Sequence, residues 1–108
     1  MNNYTIEIYR SKEGRAFFTE WLDSLKDKTS ALKIIRRIRR LELGNFGDSK
    51  SLGSNLYELR FFFGSGYRVY YTKEANKLVI IMLGGDKSTQ SEDIKKAKEL
   101  LEGMKKGI

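Results

Sequence analysis

The chain has 108 residues, 40% hydrophobic and 32% charged, with a net charge of +7; a chain this long buries roughly two-thirds of its unfolded surface, so one domain over 1–108 is expected. Cysteine is absent and so is histidine, which excludes disulfides, the usual zinc sites, thiol nucleophiles and imidazole acid–base pairs, and no metal or cofactor is expected. No apolar run nears the ~20 residues of a membrane span and residues 1–15 hold no apolar signal segment, so a cytoplasmic protein without membrane contact is expected.

Residues 4–9 alternate, with Tyr4, Ile6 and Ile8 on one side and Thr5, Glu7 and Tyr9 on the other, the pattern of a half-buried strand. From Ser11, a candidate N-cap, the spacing predicts a helix to about residue 25, with Phe17, Phe18, Trp21, Leu22 and Leu25 as its apolar stripe. A second helix is predicted over about 28–43, stopped by Gly44. Ala31, Ile34, Ile35, Ile38 and Leu41 share one face of it, and Lys33, Arg36, Arg37 and Arg40 the other. The short polar turn between the two predicts a helical hairpin.

Residues 45–55 read as a loop. Strands are predicted over 56–63 and 67–72, joined by Gly64-Ser65-Gly66, and after the turn Ala75-Asn76-Lys77 a third over 78–83. This third run is apolar without alternation, so both faces should be covered, as in an interior strand. Gly84-Gly85 has neither the length nor the partners of a phosphate loop and reads as a bend where the strand ends. Thr89 and Glu92 have capping-box spacing for a final helix with Ile94, Ala97, Leu101 and Met104 on one face. The class is α+β: an N-terminal strand, a helical hairpin, an antiparallel three-strand meander completing the sheet, and a C-terminal helix.

A three-residue loop at 64–66 sets Arg60 opposite Tyr70 and Phe62 opposite Arg68, and puts Glu58, Arg60, Arg68 and Tyr70 on one face. An even-length loop would separate the arginines. Two arginines can grip a phosphate and neutralise developing charge; Tyr70 can stack on a base or pass a proton; Lys87 can reach the same face. Glu58 or Asp86 could serve as base. The plainer alternatives are a solvated cross-strand charge cluster for Glu58, Arg60 and Arg68, a surface turn pair for Asp86 and Lys87, and a wet helix face for Lys33, Arg36, Arg37 and Arg40. The basic balance suits a phosphate backbone or an acidic protein partner.

The runs Leu56-Tyr57-Glu58-Leu59-Arg60, Gly66-Tyr67-Arg68-Val69-Tyr70-Tyr71 and Leu83-Gly84-Gly85-Asp86-Lys87-Ser88-Thr89-Gln90, followed by Asp93-Ile94 and Ala97, resemble the RelE/ParE toxin superfamily, and within it the HigB-like addiction-module-killer branch. The resemblance spans nearly the whole chain. It implies a RelE-like fold and a toxin that cuts mRNA on the translating ribosome and is held in check by a cognate helix-turn-helix antitoxin. It carries the phosphate-gripping arginine over to Arg68, the basic residue after the last strand to Lys87 and a recurrent arginine to Arg60. The final-helix tyrosine of the best-known members is replaced in the stretch Glu92-Asp93-Ile94, and basic residues that some members carry before the Leu-Arg element are Tyr57 and Glu58 here. The ParE side of the superfamily inhibits DNA gyrase without cutting RNA, and a catalytically silent RNA-binding module is a further alternative.

Overall fold

A computed structural model describes residues 3–106, so the ends of the expected 1–108 unit lie outside it. The order is β1 (Thr5–Ile8), α1 (Phe17–Ser24), α2 (Lys28–Leu41), β2 (Ser49–Ser51), β3 (Leu56–Arg60), β4 (Arg68–Glu74), β5 (Leu78–Gly85) and α3 (Gln90–Lys105), with a 3₁₀ turn at Lys87–Thr89 leading into α3. The class is α+β, as expected, and consistent with a RelE-like fold. The strands form one five-stranded sheet, β1-β5-β4-β3-β2. β1 runs parallel to β5, and the other neighbours are antiparallel.

The sheet has a core on each face. Phe18 of α1 and Ile34, Ile38 and Leu41 of α2 pack with Leu59, Phe61, Val69, Tyr71, Val79 and Ile81 on one side. Ala97 and Leu101 of α3 pack with Leu56, Tyr70, Ile80, Met82 and Leu83 on the other. This double coverage is why β5 reads as an unbroken apolar run. A bulge sets Tyr70 opposite Leu83 but Tyr71 opposite Ile81, leaving Met82 as the extra residue. The resulting phase change lets Met82 and Leu83 both join the α3 core.

Several expectations are corrected. The first helix starts at Phe17, not after Ser11. Ser11 instead closes a turn: its carbonyl accepts from Gly14 N–H and its hydroxyl from Arg15 N–H, with Gly14 at φ +84°. That left-handed residue cannot continue a helix. α2 ends at Leu41, two residues short of the expected end, and its N-cap is Asp27, whose carboxylate accepts from Thr29 and Ser30 N–H. The expected loop over 45–55 contains β2, a short polar edge strand with no apolar alternation to betray it. The capping box sits one turn earlier than predicted: Asp86 and Thr89 form it around the 3₁₀ turn. The Thr89 hydroxyl then donates to Asp93 at 2.6 Å.

The β3–β4 connection is also longer than three residues. Arg60 faces Arg68 rather than Tyr70, and Glu58 faces Tyr70. The connection is closed by Phe61 N–H donating to the Tyr67 carbonyl at 3.0 Å. Phe63 and Tyr67 pack edge-on within it, and Tyr67 packs on Trp21. These rings widen the turn. The shift is by two residues, so every side chain keeps the face expected of it.

Candidate functional site

On the α3 side of the sheet, adjacent strands set Arg60 and Arg68 directly opposite one another. Like charges so placed repel, and each arginine has its own carboxylate drawing it away from the other. Arg60 Nη2 donates to Asp48 Oδ1 at 2.9 Å, toward the β2 edge. Arg68 Nε lies 3.9 Å from Glu58 Oε2 on the inner side. Glu58 is only 2% exposed and is fixed from α3 by Gln90, whose Nε2 donates to Oε2 at 2.7 Å. Arg60 is held above its usual guanidinium range chiefly by the hydrogen bond to Asp48.

Tyr70, opposite Glu58, is 0% exposed, so its ring has no room to stack on a base as the sequence suggested. Burial first, and then the Glu58 carboxylate, raise its hydroxyl well above the ordinary 10.0. The hydroxyl therefore stays protonated at working pH and is a donor, not a base. Asp86 is equally committed. It caps the 3₁₀ turn, accepting from Ser88 N–H at 2.9 Å and from the Ser65 hydroxyl of the β3–β4 connection at 3.1 Å. The Ser88 hydroxyl, above all, holds its carboxyl below the ordinary carboxylate range.

Lys87 begins that turn and is exposed. Its N–H donates to the Ser65 carbonyl at 3.3 Å, which docks it against the connection between the two arginine strands. Gly85 stands beside Arg68 across β4–β5. A Cβ there would lie 1.9 Å from Asp93 Oδ2, and one on Gly84 would lie 2.1 Å from the Trp21 ring. The two glycines are close-packing positions on opposite faces of β5, not the bend expected of them. The arrangement brings Arg60, Arg68, Glu58 and Tyr70 together as neighbours, with Lys87 at their rim.

Among the described residues, the buried side-chain polar atoms without a hydrogen-bond partner are Asp48 Oδ2, Arg60 Nε, Arg68 Nε and the Tyr70 hydroxyl. All four belong to this one patch, and three of them are donors. Native interiors rarely leave such groups unpaired, and donors in excess suit an oxyanion. Asp48 and Gln90 were missed in the sequence. Asp48 lies in a stretch read as loop, and Gln90 reaches Glu58 only because α3 crosses the sheet.

Lys33, Arg36, Arg37 and Arg40 occupy the other side of the sheet. With Phe61 and Phe63 they line a groove of about 240 Å³. Arg37 is partly structural: its Nη1 donates to the Asn45 carbonyl at 3.2 Å, and burial pulls its pKa down. Lys33 places its ammonium 5.1 Å from the centre of the Phe63 ring. No helix among the described residues is long and apolar enough to cross a membrane.

Residues 20–102 match the family model described as "Phage derived protein Gp49-like (DUF891)". A protein of Haemophilus influenzae named only "Uncharacterized protein" is 51% identical over 87 residues, 81% of this chain and 88% of that protein. The chain belongs to the phage-derived Gp49-like family, a toxin-like family of the RelE/HigB type.

Proposed function

We propose that this chain is the toxin of a type II toxin–antitoxin pair, of the HigB-like branch, and that it acts in the cytoplasm as a ribosome-dependent mRNA endoribonuclease working without a metal. The observation that supports it most is Arg60 set directly opposite Arg68 on neighbouring strands, each steadied by its own carboxylate, Asp48 and Glu58. The family's association with toxin endoribonuclease-type activity supports the reaction class.

In this reading Arg68 and Arg60 receive the non-bridging oxygens of the scissile phosphate and Lys87 adds a third positive charge from the rim. Catalysis comes from orienting the RNA 2′-hydroxyl against the phosphorus and from neutralising charge on the phosphate oxygens. The 2′-O–P bond forms, the P–O5′ bond breaks to leave a 2′,3′-cyclic phosphate, and water takes the 2′ proton and supplies one to the departing 5′ oxygen. Tyr70 stays in the core beside Glu58, and Glu58 keeps Arg68 in place instead of taking a proton. The basic groove of α2, with Lys33, Arg36, Arg37 and Arg40, contacts either further RNA or an acidic segment of the cognate helix-turn-helix antitoxin.

Primer extension on cellular mRNA, after brief induction of wild type and of Arg68→Ala, tests this. Discrete cuts inside translated regions, lost in the variant and when translation is blocked, are expected. Arrested growth with intact mRNA would overturn the nuclease reading in favour of a ParE-like inhibitor of gyrase. Intact mRNA with normal growth would leave a silent RNA-binding module.

A further inference from the structure

Phe62 is 82% exposed, more than any other large apolar residue among those described. Its neighbours are not. Phe61 is buried in the α1–α2 core, and Phe63 is half-buried against Tyr67. Strand alternation carried two residues past Arg60, the end of β3, puts Phe62 on the face of Glu58 and Arg60. The Arg60 guanidinium lies 5.8 Å from the centre of the Phe62 ring. Arg60 thus touches both the aromatic ring and the patch of unpartnered donors, to which its own Nε belongs.

The backbone that carries the ring is also tied down. The connection carrying it is tied at its base by Phe61 N–H to the Tyr67 carbonyl, across its tip by Gly66 N–H to the Phe63 carbonyl, and to the 3₁₀ turn by Ser65 to Asp86 and Lys87 N–H to Ser65. A tied backbone lowers the freedom lost when the ring is covered. The carboxylates of the patch and its rim each have a partner: Asp48 has Arg60, Glu58 has Gln90, and Asp86 has Ser88 and Ser65. A flat exposed ring beside arginines suits an unpaired nucleobase better than an apolar peptide, since every base has a face to stack and a phosphate within reach of the cations.

We infer that Phe62 is a stacking platform for one unpaired nucleobase of the RNA strand whose phosphate lies between Arg60 and Arg68. The inference rests on the proposed reading of that patch as a phosphodiester site. It replaces Tyr70, which lies in the core, as the residue that meets a base.

The test uses the full chain, freed from its antitoxin, as wild type and as Phe62→Trp, Phe62→Leu and Phe62→Ala. Binding of a fluorescent, uncleavable 2′-O-methyl hexa-adenylate is followed by anisotropy at low salt, with inorganic phosphate as competitor. Trp is expected to bind within about twofold of wild type, while Leu and Ala both lose about tenfold or more. The inhibition constant of inorganic phosphate should be equal in all four, because neither arginine is substituted. Leu binding as well as Phe would overturn the inference and point to an apolar protein contact. Ala binding like wild type, or wild type binding the oligonucleotide no tighter than inorganic phosphate, would overturn it as well. The nuclease reading fails separately, by intact cellular mRNA after wild-type induction. If the flat-ring requirement holds while mRNA stays intact, Phe62 binds a base in a protein that does not cut it.

Discussion

Replacing Glu58 by glutamine separates two roles that one carboxylate could play. The change keeps the volume and an oxygen to accept from Gln90 at 2.7 Å, but removes the charge 3.9 Å from Arg68. At an effective dielectric of about 20, that attraction is worth about 4 kcal/mol gross. Most of it is offset by the cost of keeping a carboxylate that is 2% exposed away from water, and Arg68, 15% exposed, can swing outward when released. A net loss of about 1–2 kcal/mol is expected, read as a lower urea midpoint with unchanged slope and a Tm lower by about 5–10 °C. Arg68, no longer held, should lose about tenfold in mRNA cleavage through misplacement. A general base would cost about 10²–10⁴-fold. A loss above a hundredfold with unchanged stability would refute the positioning argument and restore Glu58 as a group that meets the substrate. Unchanged stability with unchanged cleavage would show that the contact holds nothing.

Gly84→Ala should destabilise by about 2–3 kcal/mol, because its Cβ would fall 2.1 Å from the Trp21 ring. Trp21→Leu in the same chain should recover part of that loss, and strict additivity of the two urea midpoints would refute the steric cause. Asp86→Ala removes the cap on Ser88 N–H and the tie to Ser65 and should cost about 1 kcal/mol. The Asp86 carboxyl is held below the ordinary 3.8 in the fold, so its contribution is full above 3.8 and vanishes as pH falls through the depressed value. Acid unfolding curves of the variant should lack that limb. Asp93 has the opposite sign: burial raises its carboxyl above the ordinary 3.8, so stability falls as pH rises from 3.8 through the raised value. Asp93→Asn, which can still accept from Thr89, should therefore raise Tm at neutral pH and match wild type below 3.8. A variant less stable than wild type at neutral pH would refute this.

Where hydrophobic pattern determines structure, the sequence was legible. The unalternating run in β5 announced coverage on both faces, and the stripe through Ile34, Ile38 and Leu41 announced the buried side of α2. Facing of Glu58, Arg60, Arg68 and Tyr70 was also readable, but only because the turn differed from the expected one by an even number of residues. What pattern does not encode was missed. β2 has no apolar periodicity, and Ser11 looks like a helix cap until Gly14 takes its left-handed conformation. The burial of Tyr70 and Glu58 depends on where α3 lies across the sheet, and so do the partners of the arginines. Residue identity suggested which groups could do chemistry; depth decided which of them a substrate can touch.

Thr5 pairs with Leu78, and the other β1 pairs span the chain just as widely. The β3–β4–β5 meander, by contrast, is made of neighbours in sequence. Closing so long a loop carries an entropic cost that is recovered only after both partners exist, so β1 is expected to join late, onto a meander already formed. During synthesis the first strand leaves the ribosome long before the one it must pair with. Arg68 and Gly85, partners across β4 and β5, cannot meet until the last strand has emerged as well. The nascent protein therefore passes most of its elongation without the assembled arginine patch, and acquires it only once β5 and the start of α3, with Gln90, have emerged. For a protein proposed to act on translating ribosomes, the order in which the sheet closes sets a delay between being made and being armed.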